Sequence, residues 1–193
     1  MSKKVITGIE QGYYAIMTDM DTETYGTVKP LGELIEIGVK PQEKSTSLWA
    51  GNREVLLESG LGGVDVTFTV PALETDTICE LFGKTLAATG GYISNSKDVK
   101  PYCCLMFKKT LDSGAEEYLF LYKGKLNIAE EKAKTQEGNV DFQAKQFEGK
   151  FVTLKDGIWM YSVRSTDADF DATTFQTKWG KEVIKAQVKV VTP

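Results

Sequence analysis

The chain has 193 residues and 21.3 kDa, is 41% hydrophobic and 26% charged, and sets 23 Lys and Arg against 27 Asp and Glu for a net charge of −4. This is the length of a single domain with long excursions, the composition of a globular chain, and a charge balance without the basic stripe of a duplex-DNA reader. Histidine is absent, which excludes Ser-His-Asp, Cys-His and His-metal chemistry. The longest apolar run, residues 102–107, is strand-sized and too short for a membrane span. The opening MSKKVITG has lysines but no apolar stretch after them, so a secretory signal is not expected.

In chain order, residues 1–12 read as a polar, flexible N-terminal arm ending at Gly12. Residues 13–18 (YYAIMT) have the β-branched and aromatic character of a strand, and residues 19–30 read as a loop closed by Gly26 and Pro30. Residues 31–39 alternate: Leu31, Ile35, Ile37 and Val39 share one parity, and Leu34, Glu36, Gly38 and Lys40 the other. That predicts a half-buried strand. The strongest period-two signal is residues 64–70, with Val64, Val66, Phe68 and Val70 on one face and Asp65, Thr67 and Thr69 on the other. Between these strands, about residues 40–63 form a predicted long loop, far longer than a hairpin turn needs. It carries Leu48, Trp49, Val55, Leu56, Leu57 and Leu61. Two readings fit: a loop folded back onto its own domain, or an arm docking on another subunit.

Residues 73–84 (LETDTICELFGK) predict a helix capped by Thr75 or Asp76, buried along Ile78, Leu81 and Phe82, and closed by Gly83. Residues 101–109 and 117–123 predict a hairpin across Asp112-Ser113-Gly114, apolar on both faces and so lying between two layers or under another subunit. Cys103 and Cys104 are strand neighbours that point to opposite faces. With Cys79 they make an odd set without metal or disulfide spacing, expected as buried free thiols. Val140, Phe142 and Ala144 alternate, and Phe147 and Phe151 continue on the other parity, predicting a bulge near Gln146. Residues 151–154 and 158–163 predict a tight hairpin around Asp156-Gly157. From residue 164 the C-terminal extension is acidic, then aromatic at Phe170, Phe175 and Trp179, then strand-like to Val191. One helix among seven or eight strands predicts a mainly β sandwich or barrel in a single domain spanning 1–193.

Chemical motifs are weak. Gly60-Leu61-Gly62-Gly63 precedes a strand and lacks the dinucleotide fingerprint, and the Gly-Lys pairs lack the earlier glycine of a P-loop. Asp167-Ala168-Asp169-Phe170-Asp171 opens like a calcium loop, but Ala172 and Lys178 fill the places of its Gly and Glu; Asp19, Asp21 and Glu23 fail the same test. Glu116-Glu117 and Glu130-Glu131 read as solvated pairs beside turns. Tyr118, Phe120 and Tyr122 fit core packing better than a stacking platform for single strands, because the run they sit in is uninterruptedly apolar. Catalytic, metal and cofactor sites are therefore assigned to none of these residues.

The order and spacing of GYYAIM, LGELIEIGVK, SLWAGNREVLLESG, VDVTFTVPALETDTICELFGK, KPYCCLMFKKTLDSG, EYLFLYKGKLNI and FEGKFVTLKDGIWMYSV, with the Thr135-containing segment between the last two, carry a resemblance. Over residues 5–163 the chain resembles the major tail proteins, or tail tube proteins, of long-tailed bacteriophages of Gram-positive bacteria. Gly51 departs from the acidic residue often found there, and residues 164–193 have no counterpart.

The resemblance implies a non-enzymatic virion protein, assembled in the host cytoplasm, whose hexameric rings stack into a tube. DNA would pass through that tube without specific binding, and no membrane would be involved. It implies a tape measure protein and a tail terminator as further partners. The long loop, through Leu48, Trp49, Val55, Leu56 and Leu57, would be the inter-ring arm. The polar strand faces beside it, Glu36 with Asp65, Thr67 and Thr69, are the candidate lumen lining. The alternative is a monomeric β-sandwich binding module, for instance for carbohydrate, whose mark would be an aromatic platform drawn from Trp49, Trp159 and Trp179.

Overall fold

The computed structural model describes residues 5–50, 52–128 and 144–188. Within them the chain runs β1 (Ile6–Ile9), β2 (Gln11–Asp19), β3 (Thr24–Tyr25), β4 (Lys29–Glu33), β5 (Glu36–Ala50), β6 (Arg53–Val70), α1 (Thr75–Phe82), β7 (Thr85–Leu86), β8 (Tyr92–Ile93), β9 (Cys103–Leu111), β10 (Glu116–Ile128), β11 (Lys145–Val152), β12 (Met160–Arg164) and α2 (Ala172–Lys178). The fold is mainly β: one curled antiparallel sheet, sandwich- or barrel-like, in the order β3-β2-β9-β10-β11-β6-β5. Segments laid end to end lengthen it. β1 and β2 both run along β9, β3 and β4 along β2, and β11 and β12 along β10. The curl closes through the chain itself, because β4 pairs with β2 at one edge and runs on, two residues later, into β5 paired with β6 at the other.

Two cores follow from strands that are apolar on both faces. Inside the curl, Val64, Val66, Phe68 and Val70 meet Cys103, Leu105, Phe107, Leu119, Leu121, Phe147 and Phe151, and α1 adds Ile78, Leu81 and Phe82. Phe147 stacks between Phe68 and Phe82 at centroid distances of 5.4 and 5.6 Å. On the opposite face, Ala15, Met17, Cys104, Met106, Tyr118, Phe120 and Tyr122 form a second core under Phe175. Cys103 and Cys104 thus point into different cores, as strand alternation requires, and all three thiols are free and buried. The chain's own C-terminal extension covers the second face: Phe170, Phe175 and Trp179 pack on Tyr118, and the Tyr122 hydroxyl donates to the Ile184 carbonyl (2.9 Å) and accepts from Ala186 N–H (2.8 Å). Tyr118, Phe120 and Tyr122 are therefore core, not a stacking platform.

Several expectations need correction. Over its described residues, 5–12, the expected arm is largely strand: Ile6–Ile9 pairs with Leu111 to Lys109, and β2 already starts at Gln11. The expected strand over 31–39 is two strands, because the chain changes partner. Leu34 is buried at the break and Ile35 is 57% exposed, and not core-facing as its parity suggested. The loop over 40–63 is a long β-hairpin. Helix α1 is shorter than 73–84, with Glu74 at its N-cap position making no side-chain cap bond, while Gly83 closes it in the left-handed region (φ 67°) as expected.

The turn at Asp156-Gly157 forms, with Leu154 N–H donating to Ile158 O at 2.8 Å, but beyond that bond its flanks pair with β10 and not as a hairpin. β11 takes residues 123–128 of β10 and β12 takes 117–121, so they lie in line on one edge. β11 runs unbroken through Gln146, and residues 140–143, where the alternation began, lie outside the described residues, as do Gly51, Thr135, the Glu130-Glu131 pair and the tail end at Val191. A second helix, α2, was not expected. Asp171 is its N-cap, accepting from Thr173 N–H and Thr174 N–H, and the Thr174 hydroxyl and these amides hold its carboxyl below the ordinary range.

Two acids are buried, Glu117 against the expectation of a solvated pair. Glu23 accepts from Lys123 Nζ (3.1 Å) and from the Lys155 backbone N–H. Glu117 accepts from Arg164 Nε (3.1 Å) and the Ser162 hydroxyl (3.2 Å). These partners satisfy charges that burial would otherwise penalise.

Candidate assembly surface: the β5–β6 arm

β6 pairs with β11 only from Val64 to Val70. From Glu43 to Ala50 and Arg53 to Leu61 the two strands of the arm pair, among the described residues, only with each other. At about 3.3 Å per residue the arm extends about 25–30 Å past the last residue of β6 that β11 pairs. Bulges punctuate it at Gln42/Glu43 and Leu48/Trp49. At the first, Gly62 has no side chain, and a Cβ there would lie 2.8 Å from Lys44 Cγ, so glycine lets the Lys44 stem lie flat across the ribbon.

The arm has no apolar layer of its own to bury. Leu48 stands opposite Leu56, and Ser47 opposite Leu57. Because neighbours alternate across the pleat, Leu56 and Leu57 face opposite ways, so both faces of the ribbon are apolar. Leu48, Trp49, Val55, Leu56 and Leu57 are 61, 64, 54, 52 and 62% exposed. Trp49 is tethered by its indole N–H, which donates to Ser47 Oγ at 3.0 Å. A two-stranded hairpin in water is marginal, and a contiguous exposed apolar surface of this kind marks an interaction site. All five inter-ring candidates therefore fall on one element, with Leu61 below them (39% exposed).

The four lumen candidates also come together. Glu36 pairs in register with Thr69, and Asp65 and Thr67 continue along β6 on that face, opposite the core-facing valines. Sequence reasoning did not place the lysines that share it. Across the strands one row reads Lys125, Lys150, Asp65, Lys40, and the next Asn127, Glu148, Thr67, Gly38. Gln42 Nε2 donates to Asp65 Oδ2 at 2.9 Å, and Lys125 sits 4.5 Å from the Tyr102 ring centroid. The face is thus of mixed charge, with Lys125 directly opposite Lys150, a repulsive pairing across strands. That register is a long-range fact, invisible in any local pattern.

The remaining tryptophans do not join Trp49. Trp159 packs against the inner core and Trp179 against the outer one. Among the described residues no cluster of three or more Cys, Asp or Glu is placed to hold a metal ion, and no helix is long and apolar enough to cross a membrane. No known family profile and no curated protein matches the chain.

Proposed function

We propose that this chain is a structural, non-enzymatic virion protein of a long-tailed bacteriophage: the subunit of hexameric rings that stack into the tail tube conducting DNA at ejection. The observation that carries the reading is the arm, a long hairpin apolar on both faces that no described residue covers. An element of that kind is stabilised only by a neighbour on each side, which stacked subunits supply. The mainly β fold is the one the resemblance implies, and a curled sheet closed by its own chain gives a rigid body for repeated contacts. In this reading the tape measure protein and tail terminator are further partners, and Glu36, Asp65, Thr67 and Thr69 are candidates for the channel wall. The binding-module alternative loses support from the dispersal of Trp49, Trp159 and Trp179 over three surroundings. Negative-stain microscopy of the purified chain tests the proposal: rings or tubes are expected, and uniformly dispersed single subunits at high concentration refute it.

A further inference from the structure

The arm needs a receiving surface, and the chain carries one candidate at its other end. β6 runs from the arm tip at Arg53 to Val70, about 55 Å of strand. Beyond Val70 comes α1 and then the connection to β9, residues 83–102. This connection is held at that end of the sheet: the Val99 carbonyl abuts Gly83, at the C-cap of α1, and Lys100 Nζ donates to Asn127 Oδ1 near the end of β10. It carries Leu86, Ile93 and Val99, which are 54, 53 and 78% exposed. Leu86 and Ile93 sit on the β7–β8 ladder, whose Tyr92 is half-buried against the core under Lys84 Nζ, 4.1 Å from the ring centroid. The patch is therefore anchored and not a loose loop.

We infer that the β5–β6 arm of one copy seats on the α1–β9 connection of the next copy along the tube; this rests on the tube reading above. Two observations select a second copy of the chain as the occupant. The apolar residues of the arm expose on the order of 600 Å² over its two faces together, close to the roughly 800 Å² each partner contributes to a standard interface once stacked copies cover both. The two surfaces also lie at opposite ends of one long strand, so their contact is head-to-tail. A heterologous contact along an axis does not close and propagates as a filament, whereas an arm folding onto its twin would stop at a dimer.

The test has two arms. Leu86→Asn with Ile93→Asn alters only exposed side chains, so circular dichroism and melting stay native, while the critical concentration for assembly rises by roughly tenfold or more, the factor that about 1.4 kcal/mol of lost contact per interface produces. Separately, tubes of the Leu56→Cys, Ile93→Cys double variant are oxidised and run on a non-reducing gel. A ladder of covalent oligomers is expected, absent from either single variant, since Cys79, Cys103 and Cys104 are buried. Native tubes with an unshifted critical concentration in the Asn variant, or intact double-cysteine tubes without a ladder, overturn this seating while leaving the tube reading in place. A native chain that forms no assembly overturns both.

Discussion

Replacing Gly83 by alanine probes whether the helix end and the patch beyond it are fixed as described. Gly83 sits at φ 67° and ψ 28°, where its N–H caps α1 on the Cys79 carbonyl. An added Cβ would lie 2.2 Å from the Val99 carbonyl oxygen and 2.7 Å from its carbon. These are backbone atoms, so no rotamer change relieves the clash. Left-handed geometry costs an L-residue about 1–2 kcal/mol, and forcing extra volume into a closed contact about 1–3 kcal/mol. The sum, about 2–5 kcal/mol, should lower the melting temperature by about 4–20 °C for a chain of this size. Gly114 supplies the control, with φ 74° and nothing within 4 Å of its would-be Cβ. Gly114→Ala should lose only the conformational part, about 1–2 kcal/mol. Urea midpoints of both variants against the parent separate the two contributions. Equal losses at the two positions would refute the Gly83–Val99 contact, and with it the placement of Val99 in the receiving patch.

Replacing residues 43–58 by a short Gly-Ser linker should leave the far-ultraviolet spectrum of a folded β body and abolish tubes; long tubes from that chain would remove the arm from assembly. Burial pushes the Cys103 thiol and the Tyr14 and Tyr118 hydroxyls up to about 12 from ordinary values of 9.0 and 10.0. The fold favours their neutral forms, so their contribution is complete below pH 9 and falls as pH rises from about 9 to 12. Melting curves across that range check it, and a midpoint that does not move would contradict it. For the same reason a thiol reagent should label no cysteine in the native chain and all three once denatured, and reductant should not affect assembly. Glu36→Lys with Asp65→Lys should leave tubes intact but slow DNA release, most strongly at low salt where screening is weakest; ejection at the parental rate would place this face away from the channel.

Sequence legibility followed locality. The alternation over 64–70 predicted its buried face because β6 there has one dry side and one wet side. The opposite orientations of Cys103 and Cys104 followed from strand geometry alone. The arm was misread as a loop because a ribbon apolar on both faces shows no period, and because Pro41, Gly60, Gly62 and Gly63 are turn-type residues. Its apolar residues were nonetheless legible as a group, and they are exposed along the hairpin. The change of partner at Leu34 and Ile35 depends on β2 and β6, which no window around those residues contains. The Asp156-Gly157 turn was legible, but β10, apolar on both faces, offers an edge long enough to take both of its flanks in line. Helix α2 had a readable start in Asp171, obscured because its acidic neighbours invited comparison with a cation loop.

Cryo-electron microscopy of assemblies formed by the purified full chain tests the central claim most directly. The account predicts stacked sixfold rings around an opening wide enough for duplex DNA, with Leu48, Trp49, Leu56 and Leu57 buried between rings. Particles without axial stacking, or stacked rings in which those side chains remain in solvent, would contradict it.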